Sequence, residues 1–105
     1  MSQRTLVTEL EGIETTVLMG WDRPLQYHFM VIEQGGNDPL YSNLDDDGSV
    51  DADLQYFLDK AKQFGITIPD AMVERLKQDK GNDTGNAVSY FDQQGKESTP
   101  SQKAR

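Results

Sequence analysis

A chain of 105 residues with a formal charge of −8, no cysteine and one histidine is the size of one domain and lacks the residues for several kinds of chemistry. Disulfides, thiolate nucleophiles, thiolate metal sites and a multi-histidine metal centre within one chain are all excluded. A core drawn from about ninety residues buries about two-thirds of the unfolded surface, so a shallow surface site is expected rather than a deep cavity.

The charge is uneven. No Lys or Arg stands between Arg23 and Lys60, while Glu33, Asp38, Asp45, Asp46, Asp47, Asp51, Asp53 and Asp59 all fall there. A field of this sign repels phosphate backbones and attracts a basic protein or a cation, so no direct nucleic-acid partner is expected. A solvated face is the plainer account of such a block. Residues 1–9 contain no uninterrupted apolar leader, and no run approaches the roughly twenty apolar residues that span a bilayer. The expectation is a soluble, cytoplasmic protein without a membrane partner.

Residues 4–10 alternate only partly and read as an edge strand or an ordered arm. After Glu11 and Gly12, residues 14–21 read as a strand: Thr15, Thr16 and Val17 are β-branched, and Val17, Met19 and Trp21 share one face, which should be the core face. Pro24 cannot donate a ladder hydrogen bond and biases Arg23 to extended backbone, so the chain turns through Gly20-Trp21-Asp22-Arg23-Pro24. Residues 25–33 return as a central strand, with Phe29 and Val31 expected to face the core and with cover on both faces near Met30 and Ile32. Gln34 to Pro39 is a turn cluster, and residues 40–44 make a short third strand.

Leu54, Phe57, Leu58, Ala61 and Phe64 recur at the helical period, with Ser49 or Asp51 available as N-cap, Lys60 and Lys62 at the negative end and Gly65 as terminator. Pro69 suits the start of a second helix, whose apolar side (Ala71, Met72, Val73, Leu76) ends before Gln78. Residues 86–92 give a last strand beside the opening hairpin. From Gln93 onward no large apolar residue remains, so residues 1–92 form a single domain and 93–105 a disordered polar tail. The fold expected is α+β: an antiparallel sheet of three to four strands covered on one face by two consecutive helices, in the order β-β-β-α-α-β.

Asn43, Asp45, Asp47 and Asp51 take the first, third, fifth and ninth positions of a calcium-type loop whose sixth is Gly48 and eighth Val50. The twelfth position is Leu54, which cannot supply the bidentate carboxylate, so a polar loop ending in a helix cap is the competing account. These four are the only metal candidates, and no cofactor is expected. His28, alone and flanked by Tyr27 and Phe29, fits a structural role better than a triad, although a small enzyme built on it remains an alternative. Gly35-Gly36 lacks the helix and Lys of a phosphate loop. Tyr27, Phe29, Tyr41, Tyr90 and Phe91 lack the basic neighbours of a base-stacking platform, so they read as core. Trp21 and Arg23 are residue types that carry interface energy, set against packing of Trp21 under the turn and pairing of Arg23 with an acid.

Gly20-Trp21-Asp22-Arg23-Pro24-Leu25-Gln26, Pro39-Leu40-Tyr41-Ser42-Asn43-Leu44-Asp45-Asp46, Phe64-Gly65-Ile66-Thr67-Ile68-Pro69 and Gly85-Asn86-Ala87-Val88 resemble a family of short bacterial proteins of unknown function. The resemblance covers most of residues 15–90 and implies no reaction, ligand or site residue. The functional expectation is a non-enzymatic protein-binding or regulatory module for a partner with a basic surface, through Trp21, Arg23, Asp45, Asp46 and Asp47. In its sharpest form it would be an acidic mimic of nucleic acid; a cation-binding module is the alternative.

Overall fold

The computed structural model describes residues 1–35, 38–49 and 52–99. In chain order the elements are β1 (Ser2–Leu10), β2 (Ile13–Asp22), β3 (Tyr27–Glu33), β4 (Tyr41–Ser42), two 3₁₀ turns (Asn43–Asp45 and Asp47–Ser49), α1 (Leu54–Gln63), α2 (Asp70–Gly81), β5 (Ala87–Phe91) and β6 (Glu97–Ser98). The α+β class and the two consecutive helices are as expected. The sheet is not: it has six strands in the order β4-β3-β2-β1-β5-β6, and it is mixed.

β1 is the source of that difference. It lies inside the sheet, antiparallel to β2 and parallel to β5. The chain leaves α2 at the end of the sheet where β1 begins, and the Met1 amino group donates to Asn86 Oδ1 at 3.1 Å there. β5 therefore runs alongside β1 in the same direction. β6 then pairs antiparallel with β5, so the segment expected to be a disordered tail from Gln93 supplies the outer strand through Glu97 and Ser98. Residues 100–105 lie outside the described residues.

Register decides which face is core. Met19 stands opposite Met30, Val17 opposite Ile32, and Leu6 opposite both Val17 and Phe91. Together with Phe57, Ala61, Met72 and Leu76 from the helices these side chains form the buried cluster. Val17 and Met19 face the core as expected, but Phe29 and Val31 do not: β3 turns Met30 and Ile32 inward and Phe29 and Val31 to the opposite face, which no helix of the described residues covers. Both sets of β3 are apolar, so alternation within the strand could not choose between them; pairing with β2 does.

α1 forms where its stripe predicts, with Leu54, Phe57 and Ala61 buried and Lys60 and Lys62 in the last turn. Its N-cap is Asp53, whose Oδ1 accepts from the Tyr56 N–H at 3.0 Å. Ser49, an expected cap, instead closes the preceding turn by donating its hydroxyl to the carbonyls of Asn43 and Asp46. Asp51, the other, lies outside the described residues. α2 starts after Pro69 and runs to Gly81, beyond the apolar side expected to end before Gln78. Its inward stripe is Met72, Leu76 and Asp79, and the last of these is charged. Asp79, 2 % exposed, meets Arg4, 7 % exposed, on the core face of β1.

Candidate functional site

Trp21 does not face solvent. It is 4 % exposed, stacks edge-on against His28 with centroids 5.1 Å apart, and donates Nε1–H to Asp83 Oδ1 at 2.8 Å. The same carboxylate accepts from Gln26 Nε2 at 2.7 Å and from Arg23 Nε at 3.3 Å. The Trp21 bond first, then those of Gln26 and the charge of Arg23, hold the Asp83 carboxyl below its ordinary range. The hairpin tip is thus a clamp on the loop after α2. Arg23 keeps an exposed side chain, but Trp21 has none to offer a partner.

The acidic turn is divided in the same way. Asp46 Oδ2 accepts from Tyr41 Oη at 2.6 Å and from Tyr56 Oη at 2.8 Å, and its Oδ1 accepts from the Gly48 N–H at 3.0 Å. Lys60 Nζ lies 5.8 Å from the Tyr41 ring centroid and 5.4 Å from that of Tyr56. The two hydroxyl bonds lower the Asp46 carboxyl. Burial and the bond to Asp46 raise the Tyr41 hydroxyl, and the Asp46 bond followed by burial raises that of Tyr56. Asp45 and Asp47 remain exposed. Asp46 therefore pins β4 to α1, and its charge is satisfied within the chain.

The calcium-like spacing lies only partly within the described residues. Asn43 Oδ1 accepts from the Met30 N–H at 3.3 Å, Asp51 lies outside the described residues, and among the described residues no group of three or more His, Asp or Glu is placed to hold a metal ion. Among the described acids of the Arg23–Lys60 interval, Asp46 turns toward α1 and Asp53 caps it, whereas Glu33 lies on the far side of the sheet.

His28 is buried, and its Nε2 lies 3.1 Å from the Leu76 carbonyl. A carbonyl only accepts, so Nε2 carries the proton and Nδ1 is left as the acceptor of a neutral ring. Burial is the largest influence on the ring and lowers its pKa from the ordinary 6.5; the Leu76 bond opposes this and the charge of Lys80 adds to it. The ring contributes to the floor of an open groove of about 560 Å³ between the helices, where Asp53 also appears, already engaged as the N-cap of α1.

The uncovered face of the sheet is what sequence reasoning missed. Alternation and register place Thr5, Val7, Thr16, Leu18, Phe29, Val31, Val88 and Tyr90 on it. Val7 is 39 % and Val88 40 % exposed, and Leu18, Val31 and Tyr90 are half-buried. Phe29 is buried, with its ring against Gly20: a β-carbon there would stand 2.9 Å from the ring and well inside contact distance of the Ser2 carbonyl oxygen. At one corner of this face Glu9 stands directly opposite Glu14, and Glu33 pairs with the neighbouring Thr16. All three glutamates are exposed, and none forms an ion pair among the described residues.

No helix of the described residues is long and apolar enough to cross a membrane. Comparison with protein-family models, with curated proteins and with solved structures finds no match for this chain.

Proposed function

We propose that this chain is a non-enzymatic protein-binding module that docks a partner on the uncovered face of its sheet. The observation that carries the reading is the unpaired Glu9–Glu14 cross-strand couple bordering the apolar residues Val7, Leu18 and Val31. Like charges directly opposite on adjacent strands destabilise a sheet, and a one-sided sheet ordinarily presents polar residues to water. Both departures meet at one place. They suit a partner with an apolar patch bordered by Lys or Arg, which would neutralise the corner while covering the valines and leucine. Of the residues first expected to bind, Trp21 and Asp46 are committed inside the fold, and Arg23, Asp45 and Asp47 lie elsewhere.

The test is photo-cross-linking in the producing cell from a photoreactive residue at Leu18, with Gln63 on the exposed side of α1 as control. A discrete adduct with a different protein is expected from position 18 only, lost when Glu9→Lys and Glu14→Lys are combined. Equal adducts from both positions, or only a species at twice the chain's own mass, would count against the reading.

A further inference from the structure

The groove between the helices has a composition at odds with the rest of the chain. One wall is Leu54 and Leu58 of α1, and the other is Val73, Lys77 and Lys80 of α2, with His28 beneath. Val73, Lys77 and Lys80 follow one another at i, i+4 and i+7, so α2 turns an apolar foot and two ammonium groups into the same space. In a protein of net charge −8, two lysines on one wall are a local reversal of sign.

Of the eight described lysines and arginines, four are engaged elsewhere. Arg4, Arg23 and Arg75 are paired with carboxylates, and Lys60 sits over two tyrosine rings. Lys77 has only an exposed 3.9 Å pair with Glu74, which is worth little, and Lys80 forms no ion pair among the described residues. Asp53, the carboxylate among the groove's lining residues, accepts from the Tyr56 N–H. The space, about 560 Å³, is in the range that small ligands occupy, roughly 300–1,000 Å³.

We propose that the α1–α2 groove binds a small amphipathic anion, its apolar body against Leu54, Leu58 and Val73 and its carboxylate or similar head between Lys77 and Lys80. Recognition uses two terms: burial of an apolar body, and charge-assisted hydrogen bonds from two ammonium groups at the rim. A cation of the same shape gains the first term and is repelled by the second; inorganic phosphate gains the second without the first. The site lies on the opposite side of the sheet from the protein-docking face, so the two proposals stand or fall separately.

Decanoate is the probe, with decyltrimethylammonium and inorganic phosphate for comparison, titrated into the full chain and followed by NMR. The methyl groups of Leu54, Leu58 and Val73 report on the walls, and His28, the single histidine, on the floor. Decanoate is expected to shift all four residues saturably below millimolar concentration and to bind at least tenfold tighter than either comparison compound. The variant Lys77→Gln/Lys80→Gln, which keeps polar stems at solvated positions, should weaken decanoate at least tenfold, while Lys62→Gln/Lys96→Gln removes equal charge elsewhere and should not. The proposal is overturned if the shifts fall on Val7, Leu18 and Val88 instead, if decyltrimethylammonium or phosphate comes within tenfold of decanoate, or if the two double variants bind alike.

Discussion

Arg4 holds Asp79 through two parallel hydrogen bonds across 75 residues of sequence, Nε to Oδ2 at 2.9 Å and Nη2 to Oδ1 at 2.8 Å. The guanidinium also donates to Ser89 Oγ at 3.0 Å and lies 3.7 Å from Glu97, which Arg75 holds in a second bidentate pair. One charged network thus joins β1, β5, β6 and α2. A buried pair is costly to break because the survivor is left charged and unpaired. Asp79→Ala is therefore expected to destabilise by roughly 3–5 kcal/mol. Replacing both partners, Arg4→Met with Asp79→Leu, should recover a large part of that loss. Urea unfolding of the two variants against the parent measures both.

Glu97 tests whether the chain beyond residue 92 belongs to the folded unit. Glu97→Gln removes half of the Arg75 pair and the outer charge facing Arg4, and the expected cost is about 1 kcal/mol, discounted because the group is partly exposed. A tail with no part in the fold would give no change in the urea midpoint.

Gly20 is fixed by closeness rather than by backbone conformation. Its absent β-carbon leaves room for the Ser2 carbonyl and the Phe29 ring, so Gly20→Ala must push β1 off β2 or displace the phenyl group. A loss of roughly 1–3 kcal/mol is expected from overpacking, visible as a lowered thermal midpoint. Trp21, the only tryptophan and a neighbour of Ser2 through its backbone N–H, supplies a fluorescence signal for the same rearrangement.

Two pH dependences follow, and both weaken the fold in acid. His28 has a folded pKa below its ordinary 6.5, so it contributes stability above 6.5 that is lost as pH falls from there through the lowered value. His28→Gln keeps a side-chain N–H for Leu76 and should flatten this part of the profile. Asp46, Asp83 and Glu97 are also lowered, the aspartates from 3.8 and the glutamate from 4.5. For Glu97, burial pulls upward, but the bonds from Arg75 and Ser89 and the charges of Arg75 and Arg4 outweigh it. These groups contribute stability above their ordinary values and lose it as pH drops through the folded ones. Thermal melts between pH 7 and pH 3 should show two descending steps in the parent and only the lower one in His28→Gln.

The clamp at the hairpin tip gives a local prediction. Asp83→Ala leaves the Trp21 indole N–H without its acceptor and Gln26 with only the Arg23 carbonyl, and a lowered urea midpoint is expected from the lost charge-assisted bonds. The emission of Trp21 should shift to longer wavelength as the tip loosens, while the far-ultraviolet dichroism holds.

The sequence by itself determined the local elements: the β-branched run of β2, the apolar run of β3 after Pro24, the stripe from Leu54 to Phe64 for α1, Pro69 before α2, and the core face of β2 through Val17 and Met19. These follow from periodicity and backbone sterics, which act over a few residues. Tertiary structure decided everything that depends on which distant segment is a neighbour. It set the inward phase of β3, because Phe29 and Val31 are as apolar as Met30 and Ile32 and only the register with β2 separates them. It carried α2 past Gln78, because Asp79 continues the buried stripe as a charge whose partner is 75 residues away. It drew Glu97 into the sheet for Arg75, although no apolar residue marks that segment. The candidate site divided along the same line. The spacing of acids was visible, but whether they converge was not, and register alone placed Glu9 against Glu14 beside an uncovered apolar face.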